Sequence, residues 1–374
     1  MDDLVRKTML VKNDKYTKYT ANNIYLKCEN LQRGGSVKLR LLQPVVQSLL
    51  KKGINKIAIQ SNQNSALAIA ILKQAYQFEC VVILPEKASF DTLSTLANQN
   101  IKIIFKKQNE TAKNLLKENN YSDYYLISEK EEVIMKEATF ELVEEIIADC
   151  KDVNTILVPV ANGFLTNIIK EYLLKKNYDI DVIGVRSNNY TKLSDENEIA
   201  EENYAEQFIR NNTNDIFIVS DDELIDTFID VMQEHKILVD YSGLQSLAGS
   251  KYLKSKNKNI VCLLTSGNID TTTLSTTVIT GLKNKGRLFT FSAMLSDKPG
   301  ELLEIAQVIA NHKGNVVEIS HNQFKSVSRK SEVELVITVE SIDLNHKFEI
   351  CSNLEELGYS INLLDDHLGG GRYV

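Results

Sequence analysis

A lysine enclosed by small and apolar residues is the first candidate for chemistry. Lys38 stands in the run GGSVKL at 34–39, unlike the lysines of a solvated helix face. Partial burial lowers the pKa of an amine and makes the free base available to attack an aldehyde. The same spacing also suits a solvated lysine at the start of a helix, so both interpretations stay open here.

Short polar residues follow an apolar run in IQSNQNSALAIA at 59–70. Ser61, Asn62 and Ser65 stand where a strand is expected to enter a helix. Backbone N–H groups and the Asn62 amide would form a site for an anion or a hydroxyl there. The alternative is helix capping by Ser61 or Asn62, which needs no ligand.

The stretch ILVPVANGFLTNII at 156–169 is typical of a strand, a turn and a helix. At such a junction, backbone N–H groups and the helix dipole favour a phosphate, and glycine lets the backbone approach it closely. This turn has only Gly163, flanked by Ala161, Asn162 and Phe164. A non-glycine residue held at positive φ costs about 1–2 kcal/mol. The position therefore suits a phosphate, while the composition weakens the site.

A fourth segment, CLLTSGNID at 262–270, ends a further apolar run. Thr265 or Ser266 would lie at the strand tip, with Gly267 and Asn268 shaping the turn. A neutral hydroxyl there would hydrogen-bond a ring nitrogen without protonating it. A polar cap is again the alternative.

The elements that must position these segments are short β-branched runs separated by amphipathic stretches. The runs are NKIAIQ (55–60), CVVILP (80–85), IKIIF (101–105), NTILVPV (154–160), DIDVIGV (179–185), DIFIVS (215–220) and NIVCLLT (259–265). Strands that are apolar on both faces and separated by helices predict an α/β fold with a parallel sheet covered on both sides. Such sheets bind ligands at the carboxyl ends of their strands, where the polar segments fall.

The pattern changes near the C-terminus. Residues 286–366 predict strand, helix, strand, strand, helix, strand, a βαββαβ order that suits a small ferredoxin-like domain. We therefore expect a catalytic domain of two α/β subdomains at 1–280, this second domain, and a mobile tail at 367–374.

A ligand site is also expected at the start of the second domain. In DKPGEL, Pro299 lies near the first position of a helix and Gly300 leaves N–H groups open to a carboxylate. Asp297 belongs to the same turn, and Asn315 of the following strand is expected as a further contact. The alternative is that the Pro-Gly pair only starts the helix and the domain only builds the oligomer.

Composition excludes several classes of function. The chain has 374 residues, a net charge of −7 and no basic block, so we expect no nucleic-acid partner. No apolar stretch approaches the roughly 18 residues of a membrane span, and the N-terminus has no apolar signal region. The five cysteines lie far apart without metal-ligand spacing, and the histidines share none. We expect reduced thiols, no catalytic metal, and a cytoplasmic protein without a membrane partner.

Taken together, four segments resemble the motifs of the threonine dehydratase family in their usual order: LKCENLQRGGSVKLR, IQSNQNSA, PVANGFL and TSGN. That family belongs to the fold-type II pyridoxal-phosphate enzymes. The resemblance implies a tryptophan synthase β-like fold, with parallel sheets and helices on both faces. Residues 286–366 resemble an ACT regulatory domain, with SDKPGEL and GNVVEISH in the expected places.

The resemblance assigns roles to the matching positions. Lys38 matches the lysine that forms the Schiff base with pyridoxal phosphate and moves the α-proton. Asn62 matches the asparagine beside the ring hydroxyl, and Thr265 matches the serine that faces the pyridine nitrogen. The phosphate would meet the turn formed by Ala161, Asn162, Gly163, Phe164 and Leu165. The substrate would meet the segment that contains Ser61, Gln63 and Ser65.

Several positions depart from the family motifs. Ala161, Asn162 and Phe164 replace glycines of the phosphate turn, and Leu41 replaces the glycine after the arginine. The Phe164 side chain is expected where the phosphate would otherwise meet bare backbone. Side-chain donors of Asn162 or Thr166 are expected to replace the lost N–H contacts.

The implied activity is a serine or threonine ammonia-lyase, which releases ammonia and a 2-oxo acid. One alternative is a non-catalytic amino-acid-sensing or partner subunit of the same fold. Another is a different β-elimination or β-replacement, with Gln60, Gln63 and Ser65 reshaping the substrate carboxylate site. The resemblance also implies a homodimer or homotetramer.

Overall fold

The computed structural model describes residues 3–107, 109–128, 131–188, 216–296, 298–322 and 332–364. Contacts divide the chain into two compact units, Met1–Leu274 and Ser275–Val374. The predicted ligand contact Asp297 and the predicted tail 367–374 lie outside the described residues, and the domain limits at 280 and 286 stay a prediction.

The first unit alternates strands and helices, as the sequence pattern predicts. Its strands are β1 (Leu10–Lys12), β2 (Asn23–Cys28), β3 (Lys56–Gln60), β4 (Glu79–Pro85), β5 (Lys102–Lys106), β6 (Tyr125–Leu126), β7 (Val153–Pro159), β8 (Asp181–Ser187), β9 (Ile216–Val219) and β10 (Asn259–Leu264). The helices wholly inside it are α1 (Asp14–Thr20), α2 (Lys38–Lys51), α3 (Gln63–Tyr76), α4 (Phe90–Asn98), α5 (Ala112–Glu118), α6 (Glu132–Asp149), α7 (Phe164–Lys175), α8 (Asp221–His235) and α9 (Tyr241–Gly249).

A six-stranded sheet has the order β1-β2-β10-β7-β8-β9, and only the β1–β2 pair is antiparallel. Its central strand β10 is buried from Ile260 to Leu264, as expected of a strand covered on both faces. Cys262 of β10 pairs with Leu157 of β7. The carboxyl ends of these two strands, which carry Thr265 and the turn at 160–163, therefore lie side by side.

A second sheet in this unit is fully parallel, with the order β5-β4-β3-β6. Helices α2 and α3 cover it: Val45, Leu49 and Ile69 share one buried cluster with the sheet residues Ile57 and Val82. The carboxyl end of β3 leads directly into α3, so the polar segment at 61–65 lies at a strand end, as predicted.

Helix α10 (Thr271–Asn284) contains the boundary between the units, and the second unit follows it. Its elements are β11 (Leu288–Ser296), α11 (Glu301–Asn311), β12 (Asn315–Asn322), β13 (Glu332–Glu340), α12 (Leu344–Glu356) and β14 (Ile361–Leu363). They confirm the predicted βαββαβ order and form an antiparallel sheet with the order β12-β13-β11-β14. Phe291, Ile337 and Ile350 lie in its buried core.

Among the described residues, no helix is long and apolar enough to cross a bilayer.

Candidate active site

Lys38 is the first residue of α2 and is half-buried. The segment before it is held against the end of β10, because the Val37 N–H donates to the Thr265 carbonyl at 2.9 Å. The N–H of Gly267 donates to the Gly35 carbonyl at 2.8 Å. The structure therefore brings two of the predicted site residues, Lys38 and Thr265, to neighbouring places at one edge of the large sheet.

The glycines before Lys38 are required by geometry. Gly35 has a φ of +71°, and a Cβ there would lie 2.1 Å from Oδ1 of Asn268. The Asn268 Nδ2 donates to the Gly34 carbonyl at 2.8 Å and to Oδ1 of Asn64 at 2.7 Å. Asn268 therefore ties the loop before Lys38 to the start of α3, and any side chain at position 35 would collide with this link.

A buried ion network fixes the first turn of α2. The guanidinium of Arg40 donates to both carboxylate oxygens of Glu29, at 3.1 and 2.9 Å, and to Oε1 of Glu145 at 2.8 Å. Glu29 is fully buried, and Arg40 is 2% exposed. Burial alone lowers the pKa of Arg40, but the hydrogen bonds and charges of Glu29 and Glu145 raise that pKa more strongly, so it stays above its ordinary value. Lys38 is thus attached to a rigid helix start.

Asn62 caps the N-terminus of α3 with its own side chain. Asn62 is the N-cap residue, and its Oδ1 accepts the N–H groups of Asn64 at 2.9 Å and Ser65 at 3.3 Å. The Ser61 hydroxyl donates to the Asn62 carbonyl. Ser61 and Ser65 are 3% and 1% exposed. Asn62 therefore caps α3, and the backbone N–H groups of Asn64 and Ser65 and the Ser61 hydroxyl each have an acceptor.

The turn after β7 keeps its one glycine at the position that needs it. Gly163 has a φ of 78° and is the N-cap of α7, whereas Ala161, Asn162 and Phe164 have no positive φ. The strain expected from the lost glycines is therefore absent. The reason is that only one residue of this turn adopts the left-handed conformation.

Side chains take over part of the hydrogen bonding in this turn. The Phe164 N–H donates to Oδ1 of Asn162 at 3.2 Å, so Nδ2 is the donor group that remains on the Asn162 side chain. The Thr166 hydroxyl instead donates to the Gly163 carbonyl at 3.0 Å and is fully buried. Asn162 therefore keeps a side-chain donor, as predicted. The hydroxyl of Thr166 bonds within the turn instead, so its role is structural.

The ring of Phe164 packs inside an apolar cluster. Phe164 is 8% exposed and belongs to one apolar cluster with Leu41, Ala138 and Ile168. Leu41 and Phe164 are two of the positions where the resemblance implies glycine. The two larger side chains fill a common space, and Leu165 packs partly buried against the same cluster.

Polar side chains converge behind the tip of β10. The Ser266 hydroxyl donates to Oδ1 of Asp240 at 2.7 Å and lies 3.0 Å from the hydroxyl of Ser242. The Asp240 carboxylate also accepts the N–H of Gly243 at 2.8 Å. Asp240 therefore anchors the strand end that carries Thr265.

A cavity of about 550 Å³ opens at the carboxyl ends of the strands. The predicted residues Asn62 and Gln63 line it, together with Asp240, Ser242 and Asn268. Sequence reasoning missed the position of Asp240 and Ser242 at this cavity. The available signal was the polar pair in VDYSG at 239–243, which follows an apolar run as the other strand-end segments do.

Ser36, two residues before Lys38, carries an unpaired hydroxyl. Ser36 is 1% exposed, and its Oγ has no hydrogen-bond partner within the part of the chain that the structure describes. A buried polar group without a partner costs about 1–3 kcal/mol. A buried donor of this kind beside Lys38 is consistent with a site that binds a further group.

Asn315, expected as a further ligand contact in the second unit, lies far from Gly300 within one chain. Asn315 pairs with Glu340, which also pairs with Leu288 at the start of β11. Pro299 and Gly300 follow the other end of β11. The nine residues of β11 separate the two positions by roughly 26 Å at about 3.3 Å per residue. The prediction that Asn315 contacts a ligand at Gly300 of the same chain is therefore wrong.

Solved structures of known function share the fold of this chain. Threonine deaminase isoform 2 from Solanum lycopersicum aligns over 74% of this chain and 83% of its own, with a TM-score of 0.62 and 19% identity. A fungal L-serine ammonia-lyase from Rhizomucor miehei aligns over 74% and 99%, with a TM-score of 0.62 and 21% identity. The fold is therefore that of fold-type II pyridoxal-phosphate enzymes.

The family model for pyridoxal-phosphate dependent enzymes matches residues 1–266, and the chain belongs to this family. An L-threonine ammonia-lyase from Thermotoga maritima is 22% identical over 97% of this chain and 96% of its own length. Another from Geobacter sulfurreducens is 23% identical over 96% of both.

Pyridoxal phosphate is the cofactor that this family implies, and the residues present fit it. Lys38 would supply the amine, and Thr265 would supply a neutral hydroxyl at the neighbouring strand end. At the start of α7, the N–H groups of Leu165 and Thr166 have no acceptor in the described chain. With Nδ2 of Asn162 they form a set of donors suited to a phosphate.

Proposed function

We propose that this chain is a pyridoxal-phosphate-dependent ammonia-lyase that acts on L-threonine or L-serine and releases ammonia and a 2-oxo acid. The observation that carries the proposal is the position of Lys38, half-buried at the anchored start of α2 and beside the end of β10. The similarity to threonine and serine ammonia-lyases over most of the chain supports the same reaction.

Each part of the site has a role in this reaction. Bound pyridoxal phosphate would supply an electron sink for the negative charge at Cα. Nζ of Lys38 would hold the cofactor and would take the α-proton. The Thr265 hydroxyl would hydrogen-bond the ring nitrogen without changing its own charge. The ion pairs of Arg40 hold the first turn of α2, and they therefore keep Lys38 in position for proton transfer.

A coupled assay tests the proposal directly. Purified protein with pyridoxal phosphate is incubated with L-threonine or L-serine, and ammonia is measured together with 2-oxobutanoate or pyruvate. Equal amounts of ammonia and 2-oxo acid support the lyase. If a thiol is added as the nucleophile, an amino-acid product that retains nitrogen and carries the thiol sulfur at Cβ would instead support the β-replacement considered from the sequence.

Asn162 is predicted to contribute a donor to the phosphate. Asn162→Asp keeps an oxygen to cap the Phe164 N–H but replaces the NH₂ group by a second, charged oxygen. We expect affinity for pyridoxal phosphate to fall at least about tenfold, equivalent to about 1.4 kcal/mol, because the carboxylate repels the phosphate. Equilibrium dialysis measures the affinity.

Asn162→Ala provides the comparison, since it removes both the donor and the cap. It is expected to bind the cofactor more tightly than Asn162→Asp and more weakly than the native protein. A gain in affinity in Asn162→Ala would show that the carboxamide competes with the phosphate.

A second candidate function is an amino-acid-sensing subunit without turnover. The capped N-terminus of α3 favours this second function, because the N–H groups of Asn64 and Ser65 already donate to Oδ1 of Asn62. In that case threonine or serine would bind and stabilise the protein, and no ammonia would appear even with the cofactor bound. The coupled assay combined with thermal unfolding separates the two functions.

We also propose that residues 286–366 form an ACT-like regulatory domain with an effector site at Pro299 and Gly300. Gly300 is exposed, has a φ of +109° and begins α11, which supports a carboxylate ligand there. Asp297 remains part of the proposed site. Asn315 would join only from a second copy, in line with the proposed homodimer or homotetramer in the cytoplasm.

Calorimetric titration with isoleucine, valine, serine, threonine and adenine nucleotides tests the effector site. We expect heat from one amino acid, and we expect Gly300→Val to remove that heat by forcing a β-branched residue to positive φ. The catalytic assay of Gly300→Val without effector serves as the control for folding. If no ligand produces heat, the effector site is contradicted and the domain only builds the oligomer.

A further inference from the structure

The backbone around Ser36 is held by hydrogen bonds on both sides, and its side chain is buried. Ser36 forms an antiparallel bridge with Ser266, and the next residue, Val37, donates its N–H to the Thr265 carbonyl at 2.9 Å. Ser36 is 1% exposed. These bonds hold the backbone that carries the Ser36 hydroxyl, which has no partner in the described chain and lies two residues before Lys38.

Two other buried polar residues in the first unit, Ser246 and Asn30, are better satisfied. Ser246 of α9 is fully buried, and its hydroxyl donates to the Leu263 carbonyl at 2.8 Å. Asn30 has an unpaired Oδ1, but its Nδ2 donates to the Leu238 carbonyl at 2.9 Å. In Ser36 the unpaired atom is the only polar atom of the side chain. Alanine would fill nearly the same space without this penalty.

We propose that the Ser36 hydroxyl donates a hydrogen bond to an oxygen of pyridoxal phosphate bound at Lys38. The inference rests on the proposed function, because it requires the cofactor to be held there. The bound cofactor supplies the acceptor that the protein alone lacks. Ser36 is therefore a cofactor-binding residue whose hydroxyl destabilises the free protein and stabilises the complex.

The proposal predicts opposite effects of one substitution on two measurements. In Ser36→Ala, we expect the melting temperature without cofactor to rise by about 2–4 °C, because an unsatisfied hydroxyl is removed. Affinity for pyridoxal phosphate, measured by equilibrium dialysis, is expected to fall about five- to tenfold.

Ser246→Ala is the matched control. Its hydroxyl has a partner, so its loss is expected to lower the melting temperature and to leave cofactor affinity within about twofold. Ser36→Cys, which keeps a weaker donor of similar size, is expected to have an affinity between those of the native protein and Ser36→Ala. It also provides the affinity measurement if Ser36→Ala does not fold.

Two outcomes overturn the inference alone: native affinity in both Ser36 variants, or a fall in the melting temperature of Ser36→Ala that equals that of Ser246→Ala. A native protein that does not bind pyridoxal phosphate at all overturns the proposed function, and this inference with it.

Discussion

Replacing Lys38 by alanine is expected to lower the rate of 2-oxo acid formation at least about 1,000-fold, because the same amine holds the cofactor and moves the α-proton. The loss should appear in kcat as well as in kcat/KM, since proton transfer occurs after the substrate has bound. Steady-state assays with L-threonine and L-serine, at saturating pyridoxal phosphate, measure it.

Lys51 provides the matched control for this substitution. It is the last residue of the same helix, is exposed, and lies far from the strand ends. Lys51→Ala should keep the native rate within about twofold, as expected of a surface substitution. Native activity in Lys38→Ala, with the native circular dichroism spectrum, would remove Lys38 from the chemistry.

The second large effect concerns stability. Arg40→Met is expected to lower the free energy of unfolding by about 3–5 kcal/mol, because it leaves the buried Glu29 carboxylate without its charged partner. Glu29 and Arg40 are 0% and 2% exposed, so water cannot replace the lost bonds. Urea unfolding followed by circular dichroism measures the change.

Two further variants make this prediction specific. Lys136 pairs with Glu132 one helical turn away at 3.0 Å and is partly exposed, so Lys136→Met should cost no more than about 0.5 kcal/mol. The double variant Arg40→Met with Glu29→Met removes both buried charges and should be more stable than Arg40→Met alone. A stability of Arg40→Met within about 1 kcal/mol of native would contradict the account.

Much of the fold follows from local pattern. β10 could be recognised in the sequence because it is buried on both faces and therefore apolar without alternation. The gathering of Lys38 and Thr265 was also predictable, since strand ends in one parallel sheet lie at one edge. Gly163 was identified as the glycine of the turn, and its left-handed conformation explains why that glycine alone is needed.

Long-range packing could not be read from the sequence. Leu41 and Phe164 each replace a small residue and are 123 positions apart, yet they share one cluster. Nothing local indicates that one substitution accommodates the other. The bonds from Arg40 to Glu29 and Glu145 are a similar case, because charge pairing across 105 residues depends on the completed fold.

Register and capping limited the prediction of ligand sites. Asn315 follows α11 closely in sequence, but the antiparallel register places it at the far end of the sheet from Gly300. Asn62 was weighed as both a cap and an anion ligand, and the sequence alone did not decide between them. The structure resolves its contacts with Asn64 and Ser65, which depend on side-chain orientation.

The central claim is that Lys38 holds pyridoxal phosphate. Borohydride fixes a pyridoxal group bound to a lysine as a stable secondary amine, and peptide mass spectrometry then locates the modified residue. The account predicts a single stoichiometric modification at Lys38, diminished when Asn162→Asp is incubated at the same cofactor concentration. An unmodified Lys38 at saturating cofactor, or label only on an exposed lysine such as Lys51, would contradict it.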